Sequence, residues 1–218
     1  KTRRAYAKRG ALPAKKPALT REPLEAMLAT CDGSLTGLRD RAVLLFAFAS
    51  GGRLRSEVTA ATMENTRRDG DLFVFTLATS KSNQSGADRA ENDKPIAGRA
   101  AASLAAWLAA AKITSGPIFR RVRRGDVVGE PLSPSAVRDI VKKRCELAGL
   151  GDEFSAHSLR SGFVTEAGRQ GVPLGETMAL TGHRSTASLT GYFRLDPHTS
   201  QAGRLLDDPS PQLSPTAI

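Results

Sequence analysis

A few residues in this chain have the types and spacing needed to work on a phosphate. His157 is followed three residues later by Arg160, and His183 nine residues later by Tyr192, all within the stretch 156–194. Three residues apart on a helix, His157 and Arg160 occupy neighbouring positions of one face. A tyrosine hydroxyl, with a pKa of about 10, is a poor nucleophile until its proton is taken and nearby charge is stabilised. Arginine forks grip phosphate oxygens bidentately and stabilise a phosphoryl transition state. Histidine near neutral pH exchanges protons or donates to phosphate, and lysine can protonate a leaving alkoxide. Together these groups suit transesterification at a phosphodiester through a phosphotyrosine, with no metal and no cofactor required.

Charge points to the same class of partner. The 218 residues include 32 Lys+Arg against 22 Asp+Glu, a formal net charge of +10. Such an excess, with arginine-rich loops, favours nucleic acid. The two cysteines, Cys31 and Cys145, stand far apart in the chain. That argues against a disulfide scaffold or a zinc site, and both read as reduced core or near-core thiols. No apolar run approaches the ~20 residues that span a bilayer, and no signal peptide is visible. The expectation is a cytoplasmic protein with no membrane partner. The chain begins at Lys1 without methionine, as a fragment or processed chain would.

The elements that must position these groups can be read in order. Residues 1–18 form a basic, Pro-containing linker or arm without periodicity. Thr20 caps a helix carrying Pro23 in its first turn. A second helix over 38–49 is apolar almost all round after Arg41, which predicts burial in the domain centre. Ser50-Gly51-Gly52 ends it and RLRSEVTAAT (53–62) starts another. LFVFTL (72–77) and DKPIA (93–97) are β-prone, joined by a long polar loop containing Lys81. An alanine-rich helix over 99–112 carries Trp107 as a core anchor. Residues 117–132 suit a short hairpin with Arg120, Arg121, Arg123 and Arg124 at its tip. That arginine run is a solvated turn or a contact to a phosphate backbone. Ser133-Pro134 begins a helix to Ala148, stopped by Gly149. Helices over 157–170 and 173–181 follow, then a short one over 186–194 and a Pro/Ser-rich flexible tail. The fold class is mainly α with a small antiparallel β-sheet (α+β).

Each site candidate also has a plainer reading. His157 and Arg160 singly are a helix-start histidine and a surface arginine, Tyr192 a half-buried aromatic, Lys81 a solvated lysine and His183 a helix C-cap feature. Their joint order argues otherwise. HSLR (157–160), GH (182–183) and Tyr192 resemble the catalytic domain of the tyrosine recombinase (phage integrase) family. AFASGGRLRSEV (47–58) resembles its first arginine box, and SKSNQ (80–84) lies where its β-hairpin lysine is expected. The resemblance covers about 19–200 and implies that family's DNA breaking-rejoining architecture. By position, Tyr192 looks like the nucleophile that forms a 3′-phosphotyrosine, and Arg160 like the arginine that grips non-bridging oxygens. His157 resembles the histidine that assists proton transfer, His183 the third-box His/Trp that hydrogen-bonds the phosphate, and Lys81 the acid that protonates the 5′ oxygen. Glu57 matches the acidic residue that orients the first box.

One position departs from the pattern. The first-box arginine is expected three residues before Glu57, where Leu54 stands between Arg53 and Arg55. On a helix Arg53 shares roughly the face of Glu57, whereas Arg55 is turned well away from Arg53. Arg53 is therefore the substitute by register slip. The other reading is that Leu54 marks a loss, leaving a DNA-binding protein deficient in strand transfer; one lost donor in such a clamp costs on the order of 10²–10³ in rate. The resemblance thus implies a site-specific recombinase or integrase, as in integration or excision of a mobile element. A type IB topoisomerase is the further alternative, disfavoured by the GH-x8-Y ending. Implied partners are double-stranded DNA, contacted also by Arg120, Arg121, Arg123, Arg124 and Arg184, further copies forming a homo-tetramer on synapsed DNA (a monomer without DNA), and accessory DNA-bending proteins. The family also implies a core-binding domain before residue 1. The tail after Leu195 has two readings, packing onto a neighbour or disorder, and 201–218 is its flexible end.

Overall fold

The structure is a computed structural model and describes residues 17–77, 92–183 and 185–189. Among these, seven α-helices and five strands follow one another. Helix α1 (Arg21–Ala29) buries Leu24, Met27 and Leu28. Helix α2 (Leu35–Ala49) starts earlier than the apolar pattern implied, because Ser34 caps it, its side chain accepting from the Gly37 N–H. The expected central burial of α2 is found: Ala42, Val43, Leu44 and Phe46 have no exposed surface. Phe46 packs against Phe75 and Phe119, each with ring centroids 5.1 Å apart. A short helix α3 (Arg55–Thr59) then leads into the sheet.

That sheet has three antiparallel strands in the order β1 (Thr66–Asp69), β2 (Leu72–Thr76), β3 (Asp93–Ile96). The polar strand β1 has no counterpart in the sequence reading. Only Thr66 of its four residues is buried, so it carries no alternation to read. Helix α4 (Gly98–Ala110) lies against α2, and its Trp107 is the anchor expected: fully buried, with its indole N–H donating to the Ile118 carbonyl at 2.9 Å. Strands β4 (Arg120–Arg123) and β5 (Val127–Pro131) make the hairpin. The four arginines do not gather at its tip. Only Arg124 stands in the turn, Arg120 donates to the Pro117 and Ser115 carbonyls, and Arg123 pairs with Glu130.

Helix α5 (Pro134–Leu147) opens with Ser133 accepting from the Ala136 N–H, with proline in the first turn. It is tied to α2 and α1 through charge. Asp40 accepts from both Arg39 and Arg144, and Arg144 also donates to the Thr30 carbonyl at 2.6 Å. Cys31 and Cys145 are buried and free. Helices α6 (Ala156–Arg169) and α7 (Leu174–Thr181) follow, then a 3₁₀ turn over Thr186–Ser188 where a helix to 194 was expected; residues beyond 189 lie outside those described. Among the described residues no helix is long and apolar enough to cross a membrane.

Candidate active site

The site is assembled where the ends of α2 and α7 meet the first turns of α6. At the end of α2, the Phe48 carbonyl accepts from both the Gly51 and Gly52 N–H groups, and the Ala47 carbonyl from the Arg53 N–H at 2.8 Å. The chain so curls back over its own helix, with Gly51 and Gly52 at φ +93° and +69°. Only glycine takes such angles without strain. Space demands glycine as well. A Cβ on Gly52 would stand 2.2 Å from Arg160 Cα, and one on Gly51 2.5 Å from the Leu180 carbonyl oxygen.

This turn aims Arg53 inward. Its side chain is almost wholly buried, and Nη2 donates to the Leu180 carbonyl at 2.5 Å. Glu57 lies 3.8 Å from the guanidinium, and its carboxylate also accepts from the Leu54 N–H at 2.8 Å, fixing the start of α3. Leu54 itself faces outward, 42% exposed. Of the two arginines flanking it, the structure brings Arg53 to the site and leaves Arg55 exposed. Arg53 Nε is buried without a hydrogen-bond partner among the described residues.

Arg160, one turn into α6, donates to the next carbonyl along, Thr181, at 2.5 Å. The two guanidiniums therefore sit on consecutive carbonyls at the C-terminal end of α7. Those carbonyls have no partner within the helix and carry the negative end of its dipole. Burial pulls the Arg53 pKa down to about 10, Glu57 pushes it back up, and neighbouring Arg160 adds to the lowering. Burial likewise lowers that of Arg160, against the opposing carboxylate of Glu57.

Gly182 ends α7 in the left-handed conformation, and the following residue is His183. Its Nδ1 lies 2.7 Å from Thr181 Oγ1. That hydroxyl donates its one hydrogen to the Thr177 carbonyl at 2.7 Å. Its oxygen therefore accepts from Nδ1–H of the ring, which leaves Nε2 as the lone pair of neutral His183. Burial lowers the His183 pKa, and the positive charges of Arg160, Arg53 and His157 lower it further. His157 is exposed at the start of α6.

Arg53 and Arg160 thus both feel the charge of Glu57, and His183 those of Arg160, Arg53 and His157. Lys81, Arg184 and Tyr192 lie outside the described residues. Sequence reasoning passed over Lys94 of β3, whose Nζ donates to the Ala179 carbonyl, adjoining Leu180, at 2.7 Å. The signal was available. Alternation places Lys94 on the face of buried Ile96, and a lysine facing a core needs a dedicated acceptor. Among the described residues no three His, Cys, Asp or Glu side chains are grouped to hold a metal ion. Chemically, two guanidiniums side by side, one with an unused buried donor, form an oxyanion clamp beside two imidazoles.

The chain is similar to known proteins in both sequence and fold. The chain is 34% identical over 165 residues to an integrase/recombinase XerD homolog of Selenomonas ruminantium, covering 73% of this chain and 48% of that protein. It spans about half the length of the curated relatives it matches. Its fold superimposes on a crystal structure of XerA recombinase with a TM-score of 0.61 at 16% identity, covering 91% of this chain and 66% of that one. A lambda integrase dimer bound to a COC′ core site matches with a TM-score of 0.61 at 19% identity, over 86% of this chain and 62% of that one. The model of the phage integrase family matches residues 17–198. The chain belongs to the phage integrase family, the tyrosine recombinases.

Proposed function

We propose that this chain cuts and rejoins DNA strands at a specific site through a covalent phosphotyrosine. The observation that carries this reading is the pair of guanidiniums, Arg53 and Arg160, seated on the consecutive carbonyls of Leu180 and Thr181 with the Arg53 Nε unused. Buried donors without a partner are unfavourable unless a ligand completes them. A phosphodiester oxygen is the ligand whose shape and charge match a guanidinium fork.

In the proposed step Tyr192 Oη attacks the scissile phosphorus, so that a P–O(Tyr) bond forms as the bond to the 5′ oxygen breaks. His157 assists removal of the tyrosine proton, and Lys81 protonates the departing 5′ oxygen. Arg53 and Arg160 hold the non-bridging oxygens, and Glu57 orients Arg53. Bound phosphate offsets the positive charges that, in addition to burial, hold the His183 pKa low; in the proposed complex Nε2 takes up a proton and donates it as a hydrogen bond to a non-bridging oxygen. The reverse sequence rejoins strands, and no step calls for a metal ion. DNA is held further by Arg121 and Arg124, exposed at the β4–β5 hairpin, with Arg184 beyond them in the chain. Recombination of two duplexes involves four copies, and a core-binding domain preceding this one completes the grip on DNA.

The test is a nicked duplex that traps covalent protein, carrying a site selected from random-sequence DNA by binding to this chain. The wild-type chain is expected to give an SDS-stable adduct, and Tyr192→Phe to bind equally without one. No wild-type adduct on DNA that is bound would refute the proposal.

A further inference from the structure

Strand β3 holds a lysine where its pleat calls for an apolar residue. Lys94 pairs across the ladder with Phe75, shares the face of Ile96 and is 3% exposed. Taking an ammonium out of water is unfavourable unless acceptors replace its hydration. One acceptor comes from 85 positions away, as Lys94 Nζ donates to the Ala179 carbonyl at 2.7 Å. Ala179, Leu180 and Thr181 present the last carbonyls of α7, whose final helical bond runs from Gly182 N–H to Met178. Three cations from three different segments therefore sit on three successive carbonyls: Lys94 on Ala179, Arg53 on Leu180 and Arg160 on Thr181. Cations are favoured at that end of a helix, and each bond fixes the turn the other two depend on.

We infer that Lys94 is a positioning residue for strand cleavage. Its bond to Ala179 holds the last turn of α7 where Leu180 and Thr181 seat the two arginines and where the Thr181 hydroxyl orients His183. It also ties that turn to the sheet whose β2–β3 connection contains Lys81. This inference rests on the strand-transfer reading above and adds to it a residue that acts through α7.

The test uses the full chain and the selected nicked duplex, under single turnover at saturating protein, with two leaving groups at the scissile bond: the natural 5′ oxygen and a bridging 5′ sulfur. A thiolate departs without needing a proton, so the sulfur substrate separates positioning from acid catalysis. Lys94→Met keeps the length of the stem and removes the donor. It is expected to bind DNA as wild type and to cleave both substrates roughly 10- to 100-fold more slowly, the scale of a displaced catalytic geometry. Lys94→Arg, which keeps charge and donors, is expected to recover most of the rate. Lys94→Met cleaving as wild type would overturn the inference, and so would restoration of its rate by sulfur, which would make Lys94 a proton donor. Thermal melting accompanies both variants. If the methionine chain does not fold, the arginine variant decides: near-wild-type cleavage supports positioning and a loss overturns it. A wild-type chain that forms no adduct on either substrate would instead sink the strand-transfer reading, and this inference with it.

Discussion

Replacing Arg53 by methionine separates a residue kept for chemistry from one kept for stability, because the two roles predict different melting behaviour. Its pKa near 10 in the folded chain lies more than two decades below that of a solvated arginine, a cost of roughly 3 kcal/mol at neutral pH. The sign follows from proton binding. A base with a depressed folded pKa is destabilising wherever both states are charged, and the cost fades only as pH rises through about 10. Arg53→Met relieves that cost and forfeits the bond to the Leu180 carbonyl, worth about 1.5–3 kcal/mol as a hydrogen bond to a charged group. The two nearly cancel. With each kcal/mol worth about 2–4 °C in a chain of this size, the melting temperature should move by no more than about 6 °C. Cleavage of the nicked duplex should nevertheless fall about 10²–10³-fold, the loss of one clamp donor from the transition state. Two results would refute the reasoning. One is a drop of about 10 °C or more, the mark of a structural ion pair whose removal costs about 3–5 kcal/mol. The other is cleavage close to the wild-type rate. As a control, Leu54→Arg should leave the rate unchanged, alone or with Arg53→Met, because position 54 faces solvent.

Gly52→Ala should slow cleavage about 100-fold, since its Cβ would meet Arg160 Cα at 2.2 Å; a left-handed alanine adds about 1–2 kcal/mol of destabilisation. Single-turnover rates and melting curves check both effects, and a wild-type rate would remove the close contact from the account. The depressed pKa of His183 predicts that stability is fully present above the ordinary histidine range, falls as acid protonates the unfolded chain first, and levels off once the folded ring is protonated too. His183→Gln should flatten that acid limb in melting temperature against pH, and an unchanged limb would assign it to other groups. DNA affinity should fall steeply with salt, and Arg121→Ala and Arg124→Ala should each reduce the log–log slope by about 1. Slopes equal to wild type would place the hairpin away from the DNA.

The amino-acid sequence by itself determined what is set by near neighbours. Ser133-Pro134 starts α5 as read, since a cap and a first-turn proline act within one helical turn. The apolar run in α2 and the single tryptophan of α4 went where their surface must go, into the core. His157 and Arg160 fall on one helix because their separation is a helical one. The polar strand β1 escaped notice because it has almost no buried face, and the hairpin arginines because a turn set by Gly125 and Asp126 is shorter than the basic run around it. Tertiary structure decided how Arg53, already favoured over Arg55 in the sequence, turns inward. The helical face that the sequence reading gave it with Glu57 does not exist, since α3 begins only at Arg55; a glycine turn pressed against Arg160 and a carbonyl 127 positions away aim it instead. Lys94 was settled in the same way, by an acceptor 85 positions away. A buried cation goes where the folded chain supplies its acceptors, and the carbonyls at the end of α7 come within reach only after α2, β3 and α6 have packed around them.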